Sequence, residues 1–331
     1  MGNWQSYEHK DFPLTIKKSK KYGWIPDLPD QRDIYVKWPK QELKLKKIID
    51  LRLTKYMPKI YNQGELGSCT ANALACVFQY DEQRQGQKDI IDPSRLFIYY
   101  NERAIENTIN YDSGASLRDG IKVLNQIGVC KEEYYPYNID LFMEKPSEEA
   151  YKDAYNNKCI EYKRLKCDIS EVITSLNYGF PVLFGFSVYE SFESEEISKT
   201  GIMSMPKNFE KVIGGHAVVA VGFDSIKEYL IIRNSWGEDW GDGGYFYMPY
   251  KFFNNKNCND LWIIKKIVNK NIETNVKLDI QKTNQTNQTN QTNQTNQTNK
   301  KIEEKYEFKE VDDVDEEEEN NYDDEIPEDV D

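Results

Sequence analysis

The sequence predicts an α+β protein in which helices come first and strands later. Between about residues 70 and 128, three segments keep helical spacing and carry start or stop residues at their ends. From about residue 180 onward, the apolar stretches become short, β-branched and aromatic, with glycines between them. Runs of helix followed by runs of strand point to two segregated lobes rather than alternating βαβ units.

The elements follow in order. Residues 1–45 are polar and broken by Pro13, Pro26, Pro29 and Pro39. This arm is expected to be extended, with Trp24, Ile25, Leu28 and Trp38 as apolar anchors on a compact domain spanning 46–268. A helix is expected over 70–85, starting just after Gly67-Ser68. A second is expected in "PSRLFIYYNERAIEN", where Pro93 suits a helix start, and a third in "SLRDGIKVLNQIG", closed by Gly128. "PVLFGFSVY", "HAVVAVGFD", "YLIIRNSW" and "GGYFYMP" read as strands. Residues 269–299 form a linker whose Thr-Asn-Gln repeat, 283–299, contains no apolar residue to bury. Residues 300–331 form an acidic tail, expected to be disordered like the repeat.

Composition narrows the function. The formal net charge is −13, but residues 300–331 alone hold 17 acidic and 4 basic residues. The rest of the chain is therefore balanced, and it has no concentrated basic face of the kind nucleic acid requires. The acidic tail is a candidate contact for a basic partner. No apolar run is long enough to span a bilayer. The first thirty residues do not read as a secretory signal, so an intracellular, cytoplasmic protein is expected. Six cysteines without CxxC spacing, beside two histidines, argue against a zinc site; no cofactor or metal is expected, and the thiols should be free.

One stretch carries chemistry. In "YNQGELGSCTANA", Cys69 follows two closely spaced glycines and opens a helix. Helix amides favour an anion there, and so favour thiolate over thiol. A small buried cysteine in a turn explains the residue equally well. A thiol nucleophile needs an imidazole, a group to orient that imidazole and donors for an oxyanion. His9 lies in the polar arm, whereas His216 opens the apolar strand of "VIGGHAVVAVGF". Asn234 ends a later strand, and Trp236 follows within "RNSWGEDWGDGGYFY". A core histidine and a Gly-rich hairpin remain open as readings of these two segments.

Together these segments resemble the papain-like cysteine proteases, which include the cathepsins. The shared motifs are "QGELGSC", "HAV", "NSWG" and "WGDGGY", joined by "GVCKEEYYPY" and "PVLFGF". The family separates its cysteine and histidine by roughly 130–150 residues; His216 lies 147 residues beyond Cys69. The resemblance spans about residues 50–265. It implies a two-lobed fold, with a helical left lobe, a β-barrel-like right lobe and the active-site cleft between them. It makes Cys69 the nucleophile, His216 its partner, Asn234 the orienting residue and Trp236 a cover over the Asn–His bond. Gln63 and the Cys69 N–H become oxyanion donors. Gly114 and Ala115 become the backbone that pairs with substrate, and Gly185, Gly215 and Ala217 line an apolar specificity pocket.

The chain also departs from the family. Leu66 stands where the family has a cysteine, and "DSGAS" lacks that cysteine's partner, so the family disulfide is missing. Thr70 replaces the usual aromatic residue, as in a divergent microbial and viral branch. The arm is shorter than the family's inhibitory prodomain, and could either restrict the cleft or act as a strap away from it. The function expected is thiol-dependent endopeptidase cleavage of proteins or peptides by a monomer. Rival readings are an exopeptidase, an amide ligase or a deubiquitinating-type hydrolase on the same residues, or a non-enzymatic interaction protein. The virion of a large DNA virus is an alternative location.

Overall fold

The computed structural model describes residues 22–39 and 45–269. The expectations for His9, the Thr-Asn-Gln repeat and the acidic tail fall outside the described residues.

In chain order, β1 (Ile48–Asp50) precedes α1 (Cys69–Arg84), α2 (Arg95–Ile105), α3 (Leu117–Lys122) and α4 (Glu148–Ala154). Serine side chains stop the helices from starting earlier. The Ser94 hydroxyl accepts from the Phe97 N–H, Ser116 from Asp119 and Ser147 from Ala150, each supplying a partner for an otherwise orphaned donor. Pro93 therefore precedes the cap of α2 and is not its first residue. α3 runs on into a wider π turn, Val123–Ile127, and ends at Gly128 with φ 95°. A Cβ on Gly128 would lie 1.9 Å from the Ala154 carbonyl oxygen, so only glycine fits this stop. α1 departs from the amphipathic expectation. Its first ten residues are all buried, because it is packed against both the helices and the sheet.

The second half alternates strand and short helix: β2 (Asn157–Arg164), α5 (Ile169–Asn177), β3 (Val182–Tyr189), α6 (Glu195–Thr200), β4 (Val212–Asp224), β5 (Tyr229–Arg233), β6 (Tyr245–Pro249) and β7 (Cys258–Asn269). The seven strands form one antiparallel sheet in the order β2-β7-β3-β4-β5-β6, with β1 added on β4. Burial of Val182–Phe186 in β3 and of His216–Asp224 in β4 explains their near-continuous apolar runs. Helices packed on an antiparallel sheet give the expected α+β class. The sequence reading missed β2 and β7, whose lysines and asparagines hide their alternation, yet β7 lies between β2 and β3.

The register places the chemistry. His216 pairs with Phe186 and Ala217 with Gly185 across β3–β4. Val219 pairs with Arg233 across β4–β5, so the chain leaves β5 with Asn234 close to the start of β4. All six cysteines are free.

Candidate active site

Cys69 is the first residue of α1 and is fully buried. Backbone N–H groups surround its sulfur. The Ala217 N–H donates to Sγ at 3.4 Å, and those of Gly23 and Thr70 also favour the anion. Burial nevertheless dominates and pushes the thiol up to about 11. The expected thiolate is therefore not the form favoured in this state. The reason lies in the arm that covers the sulfur.

His216 Nε2 and Asn234 Oδ1 are hydrogen-bonded at 2.8 Å, with both residues buried. Asn234 Oδ1 also accepts from the Ser235 N–H at 2.8 Å, which fixes the amide. Since the Asn234 oxygen can only accept, His216 Nε2 carries the proton of that bond. Trp236 stacks on the imidazole at 4.9 Å between centroids, inclined by 29°. Gln63 is oriented from both ends: its Oε1 accepts from Ser235 Oγ at 2.6 Å and its Nε2 donates to the Leu66 carbonyl at 2.9 Å. The loop between Gln63 and Cys69 is thus tied to the strand end that carries Asn234. Thr70 occupies a closed slot, its hydroxyl donating to Glu102 Oε2 at 2.9 Å. Burial pushes that carboxyl well above its usual range. The family-model match, to papain family cysteine proteases, covers residues 45–263.

The chain belongs to the papain family. It is a cysteine peptidase of the hydrolase class. An uncharacterised peptidase C1-like protein of Acanthamoeba polyphaga mimivirus is 42% identical over 277 residues, which cover 76% of this chain and 89% of the viral one. The crystal structure of xylellain, a cysteine protease from Xylella fastidiosa, superposes with a TM-score of 0.69 at 42% identity. That match covers 76% of this chain and 99% of xylellain. The procathepsin B of Trypanosoma congolense shares the fold, with a TM-score of 0.61 at 16% identity.

In this papain-family chain the arm runs through the cleft. The Gly23 carbonyl accepts from the Ala115 N–H at 2.8 Å, and the Ile25 N–H donates to the Ala115 carbonyl at 3.0 Å. The Trp24 N–H donates to the Gly215 carbonyl at 3.0 Å. Ala115, Gly114, Gly185 and Gly215 thus meet at one peptide strand, and here that strand is the protein's own. Trp24 and Ala115 pair in parallel. Gly23 fits so closely that a Cβ would lie 1.7 Å from the Gly67 carbonyl oxygen. Ala217 meets the site through its backbone N–H. Tyr22 places its ring edge-on to His216, 6.0 Å away.

Charge anchors the arm beyond the cleft. Asp27 accepts from the Arg118 N–H, from Arg164 and from Trp262 Nε1. Asp33 pairs with Arg118 at 2.6 Å and Arg164 at 2.7 Å, and Arg164 also pairs with Asp260 at 2.8 Å. Ile34 and Val36 then bracket Arg164 of β2 with backbone bonds. Trp38 stacks on Tyr178 at 5.0 Å. Trp24 and Trp38 are thus anchors as expected, while Ile25 and Leu28 are exposed and are not. Those two sit in the arm on its solvent side, and the carboxylates do the holding instead. Sequence reasoning missed Gly23, Asp27 and Asp260. "YGWIPD" held the signal: a glycine, an aromatic residue and a carboxylate in a segment otherwise without a core.

Proposed function

We propose that the protein is a cysteine endopeptidase acting through Cys69, His216 and Asn234, and that residues 22–27 keep it latent. The observation carrying this reading is the 2.8 Å His216–Asn234 bond with Trp236 stacked on the imidazole, His216 being next in sequence to Ala217, whose N–H donates to the Cys69 sulfur. An imidazole fixed through Nε2 turns its other nitrogen to proton exchange with a neighbouring thiol.

With the arm displaced, His216 Nδ1 takes the thiol proton and Sγ attacks a peptide carbonyl carbon. The developing oxyanion is received by Gln63 Nε2 and the Cys69 N–H. The imidazolium then protonates the leaving amine as the C–N bond breaks, leaving a thioester on Cys69. Water attacks this acyl-enzyme, giving a proton to His216 and releasing the acid and the thiolate. Asn234 keeps the ring in register through both halves.

The docked arm offers nothing to attack. Its Gly23 N–H faces the sulfur, and the Gly23 carbonyl is turned away to Ala115. Burial keeps the thiol protonated in the same state. The test is a thiol-reactive active-site probe combined with product analysis on peptides of several lengths. Labelling at Cys69 with internal cleavage supports an endopeptidase; cleavage confined to peptide ends supports the exopeptidase reading; no labelling under any condition removes the mechanism.

A further inference from the structure

The loop that leads to Cys69 has no covalent brace. Leu66 and "DSGAS" are the two segments between which the family disulfide is missing, yet a carboxylate draws them together. The Gly67 N–H donates to both oxygens of Asp112, at 3.1 Å each. The approach is close: a Cβ on Gly67 would lie 2.9 Å from Oδ1. Asp112 is held in turn. Tyr99 of α2, fully buried, donates its hydroxyl to Oδ1 and accepts from the Gly114 N–H at 3.0 Å. Burial, reinforced by the Asp112 charge, holds that phenol above its usual range, so it stays a donor. The Arg103 guanidinium lies 4.3 Å over the Tyr99 ring and donates to the Ile109 carbonyl at 2.8 Å, which fixes the loop carrying Asp112.

This clamp reaches Gln63 through a single peptide unit. The Leu66–Gly67 amide is pinned at both ends, its N–H by Asp112 and its carbonyl by Gln63 Nε2 at 2.9 Å. A peptide unit is planar, with its N–H and C=O pointing in opposite directions. Turning the N–H away from Asp112 therefore turns the carbonyl away from Gln63. The Gln63 side-chain amide is planar too. With Oε1 accepting from Ser235 Oγ and one N–H on Leu66, the direction of its second N–H is set.

We propose that Asp112 is a positioning residue for the oxyanion site: it clamps the Leu66–Gly67 peptide and through it aims Gln63 Nε2. This rests on the peptidase reading above. The Tyr99–Asp112 pair also fixes Gly114, so the loop before the nucleophile and the segment that pairs with a bound chain are set relative to each other. Gly23 of the arm lies against both. Its carbonyl oxygen is 2.2 Å from where a Gly114 Cβ would stand, and its α-carbon is 3.5 Å from where a Gly67 Cβ would stand. A purely structural Asp112 would affect every reaction of Cys69 alike. A positioning Asp112 would not, because only acyl transfer passes through an oxyanion. Alkylation by chloroacetamide displaces chloride at a saturated carbon and forms none.

The experiment compares the two reactions on full chains carrying Gly23→Ala, which frees the cleft, with alkylation at Cys69 followed by mass spectrometry. Asp112→Ala is expected to lower kcat on a fluorogenic peptide by about tenfold, less than the roughly 100- to 1,000-fold cost of deleting an oxyanion donor, while Cys69 alkylation stays within about twofold. Asp112→Asn keeps an acceptor for the Gly67 N–H and should recover most of the loss. Equal falls in both rates, or no fall in kcat, overturn the proposal. Tyr99→Phe leaves the carboxylate but removes its donor, and is expected to give the same split at about threefold, the scale of one hydrogen bond. It decides the question if Asp112→Ala does not fold, since equal falls or no fall there overturn the proposal too. If the Gly23→Ala chain cleaves no peptide, the peptidase reading fails separately. Affinity for a peptide aldehyde, whose Cys69 adduct places an oxygen at the oxyanion site, then decides the clamp by the same comparison with alkylation.

Discussion

At the scale of single residues, the proposed mechanism separates groups that would take part in bond making from groups that would position them. Cys69→Ala and His216→Ala are expected to abolish peptide cleavage with the melting temperature nearly unchanged. Asn234→Ala removes one buried hydrogen bond on the imidazole and should lower kcat by roughly 10- to 100-fold. Steady-state kinetics with a thermal melt check all three; turnover in Cys69→Ala would displace the nucleophile. Cys130 is equally buried but sits beside the Ser94 cap of α2, its carbonyl accepting from the Ser94 N–H, and Cys130→Ser should leave turnover within about twofold. The Cys69 thiol also carries a pH signature. Burial holds it near 11 when covered, above its uncovered value, so covering favours the protonated thiol. That contribution to docking is complete below the uncovered pKa and is lost as pH rises through about 11. Alkylation of the full chain at pH 7 should therefore be slow, and should speed up when the arm is undocked.

At the scale of elements, the arm is both cover and strap, two roles that its composition alone leaves equal. Residues 22–27 lie in the cleft, whereas Ile34–Val36 and Trp38 hold to β2 and α5. A chain beginning at Gln41 should accordingly show higher peptidase activity and a lower melting temperature together. Gly23→Ala separates the roles. The new methyl collides with backbone at Gly67, so the cleft segment should lift and both alkylation and peptidase rates should rise several-fold. An unchanged alkylation rate would mean the arm does not guard Cys69. Acid should tighten the arm. Desolvation holds Asp27 and Asp260 above the ordinary carboxylate range, Asp260 at about 6, against the pull of Arg118 and Arg164. Docking thus takes up protons. The benefit is complete below about pH 4 and is lost as pH rises through about 6. Hydrogen exchange at Trp24 and Ile25, corrected for intrinsic rates, should show more protection at pH 5 than at pH 7.5; the reverse order would rule out this linkage.

At the scale of the whole molecule, the charge belongs to one end. The excess of acidic residues lies in 300–331, and the repeat before it has no apolar residue. Deleting residues 270–331 should leave the melting temperature and the turnover of short peptides unchanged, since the repeat has no apolar residue to bury and the acidic end repels itself. Differential scanning fluorimetry and peptide kinetics on both lengths check this, and a clear fall in either would show that the end of the chain packs on the enzyme.

The sequence by itself determined the α+β class and singled out the candidate site residues. Local signals sufficed for the class, and the motifs around Cys69, His216 and Asn234, read together as a family resemblance, for the candidates. It also determined that the family disulfide is missing, since Leu66 cannot pair. It did not determine β2 or β7, because Lys265 and Lys266 interrupt an apolar pattern that only the neighbouring strands explain. Nor did it determine the path of the arm. Trp24 reads as an anchor in either setting, and only the fold brings it across to Gly185, Gly215 and Asp260, up to 236 residues away. The state of the thiol was likewise decided in three dimensions. A helix N-terminus favours the anion, but desolvation under Gly23 outweighs it, and burial by a distant segment leaves no mark on the residues around Cys69.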